Sequence, residues 1–345
     1  MKHTTGHRSR PELRGAVARR LAALALLVAV SALAAEQAPG LPLTLEADLP
    51  LPGDSSRFDY ESYDAGRHLL FIAHLGQSEL LVFDTRTRQV IKRIGGLRHV
   101  HGVLAIPELG RVYASATGTD EVVAIDEEGL TVVARMPGGT YPDGMAYAPQ
   151  AGKLYVSDET GETETVIDVR SNQRIATIPL GGEVGNTQYD PVSRHIYVNV
   201  QSRRQLVEID PATDRVIARS DLPGAKGNHG LLIEPDLRLA LIACEDNDKL
   251  LVFDLESRQV RSSFEVGSGP DVLAYDAALG LIYVASESGT VSLFKLAAGR
   301  AEKRAQGALA PDAHVVAVDP ETHLAYFPIR NLGGHPVLRI MRPLP

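Results

Sequence analysis

"KLYVSDETGETETVIDVRSNQRIATIPLGG", residues 153–182, is the stretch that decides the fold. A short β-rich run, a polar turn, a second run ending in Asp168, another turn and a third run ending in Gly181-Gly182 follow one another. Runs this short, rich in β-branched and aromatic residues and bounded by turn formers, read as strands. The same order recurs in "RHIYVNVQSRRQLVEIDPATDRVIARSDLPG" (194–224) and "HLLFIAHLGQSELLVFDTRTRQVIKRIGG" (68–96). A fourth run precedes each copy: GMAYAP, NTQYDP or YESYDA. The repeating unit is therefore four strands long.

A marker residue, six places before the Pro or Ala that closes the first run, falls at Asp59, His101, Asp143, Gly185, His229, Asp271 and His314. Successive gaps are 42, 42, 42, 44, 42 and 43 residues. Seven four-strand units at this spacing, with no helical periodicity, predict an all-β, seven-bladed β-propeller with antiparallel blades. The last copy offers only three strands, and "LTLEADLPL" (43–51) resembles the outer strands elsewhere. It is expected to complete the last blade and close the ring, which removes exposed sheet edges. With 345 residues, 44% of them hydrophobic, the chain can bury a large core.

Residues 1–34 read differently. Six Lys/Arg residues precede "LAALALLVAVSALA", whose small residues end a signal-peptide pattern. The expectation is a signal peptide at 1–34, a single propeller domain at 35–345, and a periplasmic or secreted protein with no transmembrane segment once mature. Without the leader, 29 basic residues stand against 42 acidic ones, a net charge of −13. Such a surface repels nucleic-acid phosphates. Cys244 stands alone, which excludes an internal disulfide.

The repeat "LYVSDETGETETVIDVRSNQRIATIPLGG", with the inter-blade linkers "GGTYPDGMAYAP" and "GSGPDVLAYD", resembles the YVTN-repeat, YncE-like group of exported bacterial propellers. The likeness runs over roughly residues 41–343. It implies the same fold. For function it implies only a range: binding proteins, lactonases and related sugar-acid enzymes, and copper enzymes on similar scaffolds.

Two columns of repeated residues read differently. Asp84, Asp126, Asp168, Asp210 and Asp254 each precede a polar turn, where an Asp accepts hydrogen bonds from the turn's amides, so they are read as structural. The marker column mixes carboxylate and imidazole, and its residues are expected to face one another where the inner strands enter the central channel. With blades about 51° apart, His101, His229 and His314 fall in blades 2, 5 and 7, near trigonal spacing, with Asp59, Asp143 and Asp271 between them. That ring could hold zinc, copper or iron through the three histidines, or hold water in a polar channel with His-Asp pairs satisfying one another. Gly185 leaves a gap in one sector. His99, two residues before His101, is read as at most a rim residue.

Loops after the second strands bring further polar residues to the same face: His74, Gln77, Asp158, Glu159, Asn199, Gln201, Glu245, Glu287, Arg330, Asn331 and His335. Most read as solvated. Arg330 and His335 are favoured, since an arginine there could clamp an anionic group. Cys244 reads as a buried hydrophobe. No Ser-His-Asp order, Walker loop, dinucleotide fingerprint or HExxH stands in a usable context. The reading is a binding protein for an unidentified small molecule, metal or protein partner, working through a channel mouth. The alternative is a metal-dependent enzyme of lactonase, lyase or oxidase type.

Overall fold

The second strand of each repeat is apolar through its middle because it is covered there on both faces. In the third blade, Leu154, Tyr155 and Val156 have no solvent exposure. Tyr155 and Val166 pack with Ile196, Val198 and Val207 of the next blade. Among the described residues seven such clusters form, one at each contact between neighbouring blades. Each large apolar side chain so buried contributes roughly 1.5–3 kcal/mol. The outermost strands have only one covered face and alternate accordingly: Arg215–Asp221 is exposed at every second residue.

These strands come from a computed structural model that describes residues 40–344. The leader pattern at 1–34 lies outside the described residues. Each of seven sheets holds four antiparallel strands in sequence order, the last blade excepted. The third blade runs Pro142–Ala148, Lys153–Asp158, Thr163–Asp168 and Gln173–Pro179 from the channel outward. The architecture is the expected seven-bladed β-propeller, and its ring closes as expected. Leu43–Pro50 pairs antiparallel with His335–Pro343, from Leu43 opposite Pro343 to Pro50 opposite Val337. Arg339 grips both oxygens of Asp48 across this pair, at 2.8 and 2.7 Å.

Aspartates at the turns do what their position suggests. Asp84 accepts the amides of Arg86 and Thr87 at 2.8 and 3.0 Å, and Asp254 those of Glu256 and Ser257 at 2.8 and 2.7 Å. Acids ending the innermost strands repeat the device: Asp190 accepts Val192 and Ser193, and Asp276 accepts Leu279. At the channel, neighbouring blades come very close. A Cβ on Gly102 would fall 2.0 Å from the carbonyl oxygen of Asp143, and one on Gly230 equally near that of Asp271. Only glycine fits there.

Candidate functional site

The marker residues sit where the chain enters the channel. In five blades the marker is the second residue of the innermost strand, as in Val100–Ile106 and Asn228–Glu234. In all five the pairing register slips just there, for example between Val100 and Val103 and between Asn228 and Leu231. A bulge at that position bends the strand and re-aims the side chain. Asp59 and His314 lie just before the shorter innermost strands Glu61–Asp64 and Ala317–Val318.

Asp59, Asp143, Asp271, His229 and His314 are buried and His101 is nearly so. The ring alternates acid and imidazole in contact. His101 Nε2 lies 3.6 Å from Asp59, and His229 Nε2 lies 3.7 Å from Asp143 and 3.8 Å from Asp271. His101 donates from Nδ1 to the His99 carbonyl at 2.8 Å, and Tyr141 hydroxyl meets its Nε2 at 3.1 Å. His314 repeats that arrangement, with Nδ1 2.9 Å from the Asp312 carbonyl. His99 thus contributes its carbonyl, while its ring stays at the rim.

The expected gap at Gly185 is closed. A side chain there would meet the His229 backbone at 2.8 Å, so glycine is required by the approach of the next blade. Tyr60, from the first blade, crosses to this sector. Its hydroxyl donates to Asn186 Oδ1 at 3.0 Å and stands 3.0 Å from His229 Nε2. Tyr60 also lines the cavity above and the space further down the channel.

Above the ring lies a cavity of about 590 Å³. Glu159, Glu245 and Glu287 join Asp59, Asp143 and Asp271 in lining it, and among the described residues Arg57 is the only arginine or lysine that does so. The three glutamates belong to a second column that sequence reading left among the solvated loop residues. Leu75, Thr117, Glu159, Gln201, Glu245, Glu287 and Arg330 each stand sixteen residues after a marker, directly after the second strand in six blades. That constant offset was the available signal. Mixed residue types hid it.

Arg57 lies 2.7 Å from Glu287 and within 3.9–4.0 Å of Asp271 and Asp59. Burial disfavours its charge, but these three acids outweigh burial and hold it protonated. Burial pushes Asp143 and Glu245 up to about 7, against the pull of His229. Asp271 and Glu159 also rise, again chiefly through burial. His229 goes the other way from a buried histidine. Burial would lower it, yet Glu245, Asp271, Asp143 and Glu159 carry it up to about 9.

The three histidines expected to converge do not form one group of possible ligands among the described residues. Two groups of possible metal ligands, with donor atoms all within 4.8 Å of one another, occur among the described residues: Asp59, Asp271 and His314, and His229, Glu245 and Asp271. Each holds a single imidazole, and His101 is in neither. Arg330 sits at the rim and pairs with Asp312 at 2.6 Å, beside a small space shared with Arg57 and His314. His335 is exposed on the last hairpin. Cys244 is fully buried among apolar side chains, and burial pushes its thiol up to about 12.

Fold and site together define a class: a seven-bladed β-propeller with an acidic, histidine-bearing chamber at one mouth of its channel. No family model matches the chain and no curated protein matches it, so the YVTN-repeat resemblance rests on the repeat residues alone. Among solved structures the chain is similar to a Kuenenia stuttgartiensis hydrazine synthase chain, with TM-score 0.71 and 14% identity over 86% of this chain and 96% of that one. It is similar to the WD40 repeats of RRP9, with TM-score 0.74 and 11% identity over 89% and 99%. A chain of the mitotic checkpoint complex gives 0.72 and 12% over 99% and 98%. Identities this low speak to fold alone.

Proposed function

We propose that the protein is an exported binding protein that captures a small cationic species in the acidic chamber at its channel mouth. The observation that carries this reading is the convergence of six carboxylates on one cavity against two cationic groups, Arg57 and the His229 that these acids hold protonated. Clefts lined by one sign of charge concentrate ligands of the other. Export is supported by the leader pattern and by the likeness of the repeats to the YVTN group.

Calorimetric titration with a panel of divalent metals, putrescine and agmatine, set beside citrate and phosphate, tests the proposal. Cations should bind and anions should not. Replacing Glu159, Glu245 and Glu287 together by Gln should weaken binding by about tenfold or more. Binding of neither class of cation, or binding that ignores the triple replacement, overturns it. Fractionation of cells expressing the full chain tests export.

A second reading, metal-assisted chemistry on a lactone-like or oxidisable substrate, draws on one observation. Asp143, raised to about 7, is suited to take a proton near neutrality. Turnover of a lactone panel that is lost in Asp143→Asn would establish it.

A further inference from the structure

Buried polar groups normally find partners, and those that do not call for an explanation. Two such atoms, with a third acid beside them, lie next to the chamber. His314 is 2% exposed, and its Nε2 has no hydrogen-bond partner. Asp271 is 4% exposed, and its Oδ1 has none either. Asp59, 2% exposed, has its nearest charged groups, His101 and Arg57, at 3.6 and 4.0 Å.

The His314 tautomer follows from its other nitrogen. Nδ1 faces the Asp312 carbonyl at 2.9 Å, and only a protonated nitrogen can donate to that oxygen. In the neutral ring Nε2 then keeps its lone pair. A backbone carbonyl holding the far nitrogen is the usual way a ligating histidine is oriented. His101, built in the same way in its own blade, turns Nε2 toward Asp59 of the preceding blade. For His314 the preceding blade's residue is Asp271, and donor atoms of Asp59, Asp271 and His314 all lie within 4.8 Å of one another.

We propose that Asp59, Asp271 and His314 bind one divalent first-row transition metal, with zinc the type ion, leaving its remaining coordination positions open to the chamber. Two carboxylates and one neutral imidazole suit zinc, iron(II) or manganese better than copper(I), which prefers sulfur. Arg57 competes with the metal through its charge, not through hydrogen bonds to these two acids. Its close partner is Glu287, and its distances to Asp59 and Asp271 are too long for hydrogen bonds. The proposal rests on the reading of the chamber as a cation site and names the cation.

The test is titration of the chelator-stripped, full-length protein with Co²⁺, followed by visible absorption and calorimetry, with Zn²⁺ as competitor. One ion per chain is expected. His314→Gln and Asp271→Asn should each weaken binding by about 100-fold or more, and His335→Gln, at the exposed last hairpin, by no more than about threefold. Arg57→Gln should tighten it about tenfold, by removing the competing cation, a gain that a merely structural role would not produce. Thermal melts establish that each variant folds, and Asp59→Asn replaces any that does not. Absence of saturable one-to-one binding, or binding retained in His314→Gln, overturns the site. Putrescine binding without metal binding overturns the metal and leaves the binding protein standing. Loss of both overturns both.

Discussion

Two columns of aspartate run through this chain at nearly the same period, and they live in opposite conditions. Asp84, Asp168, Asp210 and Asp254, at the turns, each accept backbone amides at 2.7–3.1 Å. Asp59, Asp143 and Asp271, at the mouth, accept no hydrogen bond from any described residue and face histidines or Arg57 at 3.6–4.0 Å. Titration follows: the Ser171 amide draws Asp168 down and the Ala212 amide draws Asp210 down, whereas burial drives Asp143 and Asp271 up. A carboxylate satisfied by its own turn serves the fold. One buried without donors costs the fold stability and is free to meet a ligand.

The sharpest way to break this contrast is to neutralise one acid of each kind. Asp190, fully buried, accepts two amides, the Ser193 hydroxyl at 2.6 Å and Arg238 at 2.6 Å. Asp190→Ala is expected to cost about 3–4 kcal/mol in urea denaturation, since it strands several donors and a charge. Asp143→Asn at pH 8 should cost less than about 1 kcal/mol or stabilise the protein, because it removes a charge that the fold disfavours.

Next in size is an exception that separates location from satisfaction. Glu127 lies near the turns but is 1% exposed with neither oxygen hydrogen-bonded, and burial, aided by Asp64, lifts it from 4.5 to about 7. Between those values the folded state holds a proton that the unfolded chain has released. Stability should therefore fall as pH rises from 4.5 to 7 and level off above. The difference in unfolding free energy between wild type and Glu127→Gln, from urea denaturation, should change by up to about 3 kcal/mol across that window. A flat difference would show that nearness to a turn suffices.

Tyr60→Phe removes the hydroxyl that Asn186 and His229 share and should cost about 1–1.5 kcal/mol in the same measurement. Asp168→Ala, at a solvated turn with amides that water can reach, should cost only about 0.5–1 kcal/mol.

Much of this was legible in the sequence. Period-two runs and the recurring marker gave seven blades, and the unpaired strand at 43–51 gave the closure. The ring's membership could be read because a propeller sends equivalent positions to equivalent places. Direction could not. Whether His101, His229 and His314 converge depends on the bulges and on carbonyls that hold Nδ1, neither of which leaves a mark in residue type. Glu159, Glu245 and Glu287 escaped because their column also contains Leu75 and Thr117, so no single chemistry flagged it. Tyr60 escaped because its partners lie three and four blades on along the chain.

The closing strand has a consequence for the chain as a length of string. Leu43 and Pro343 are paired neighbours, so the two ends of the propeller meet on one blade. Covalently joining them and cutting an exposed connector elsewhere would leave every strand its partners and the chamber its walls. A circularly permuted version of this protein should therefore fold to the same ring.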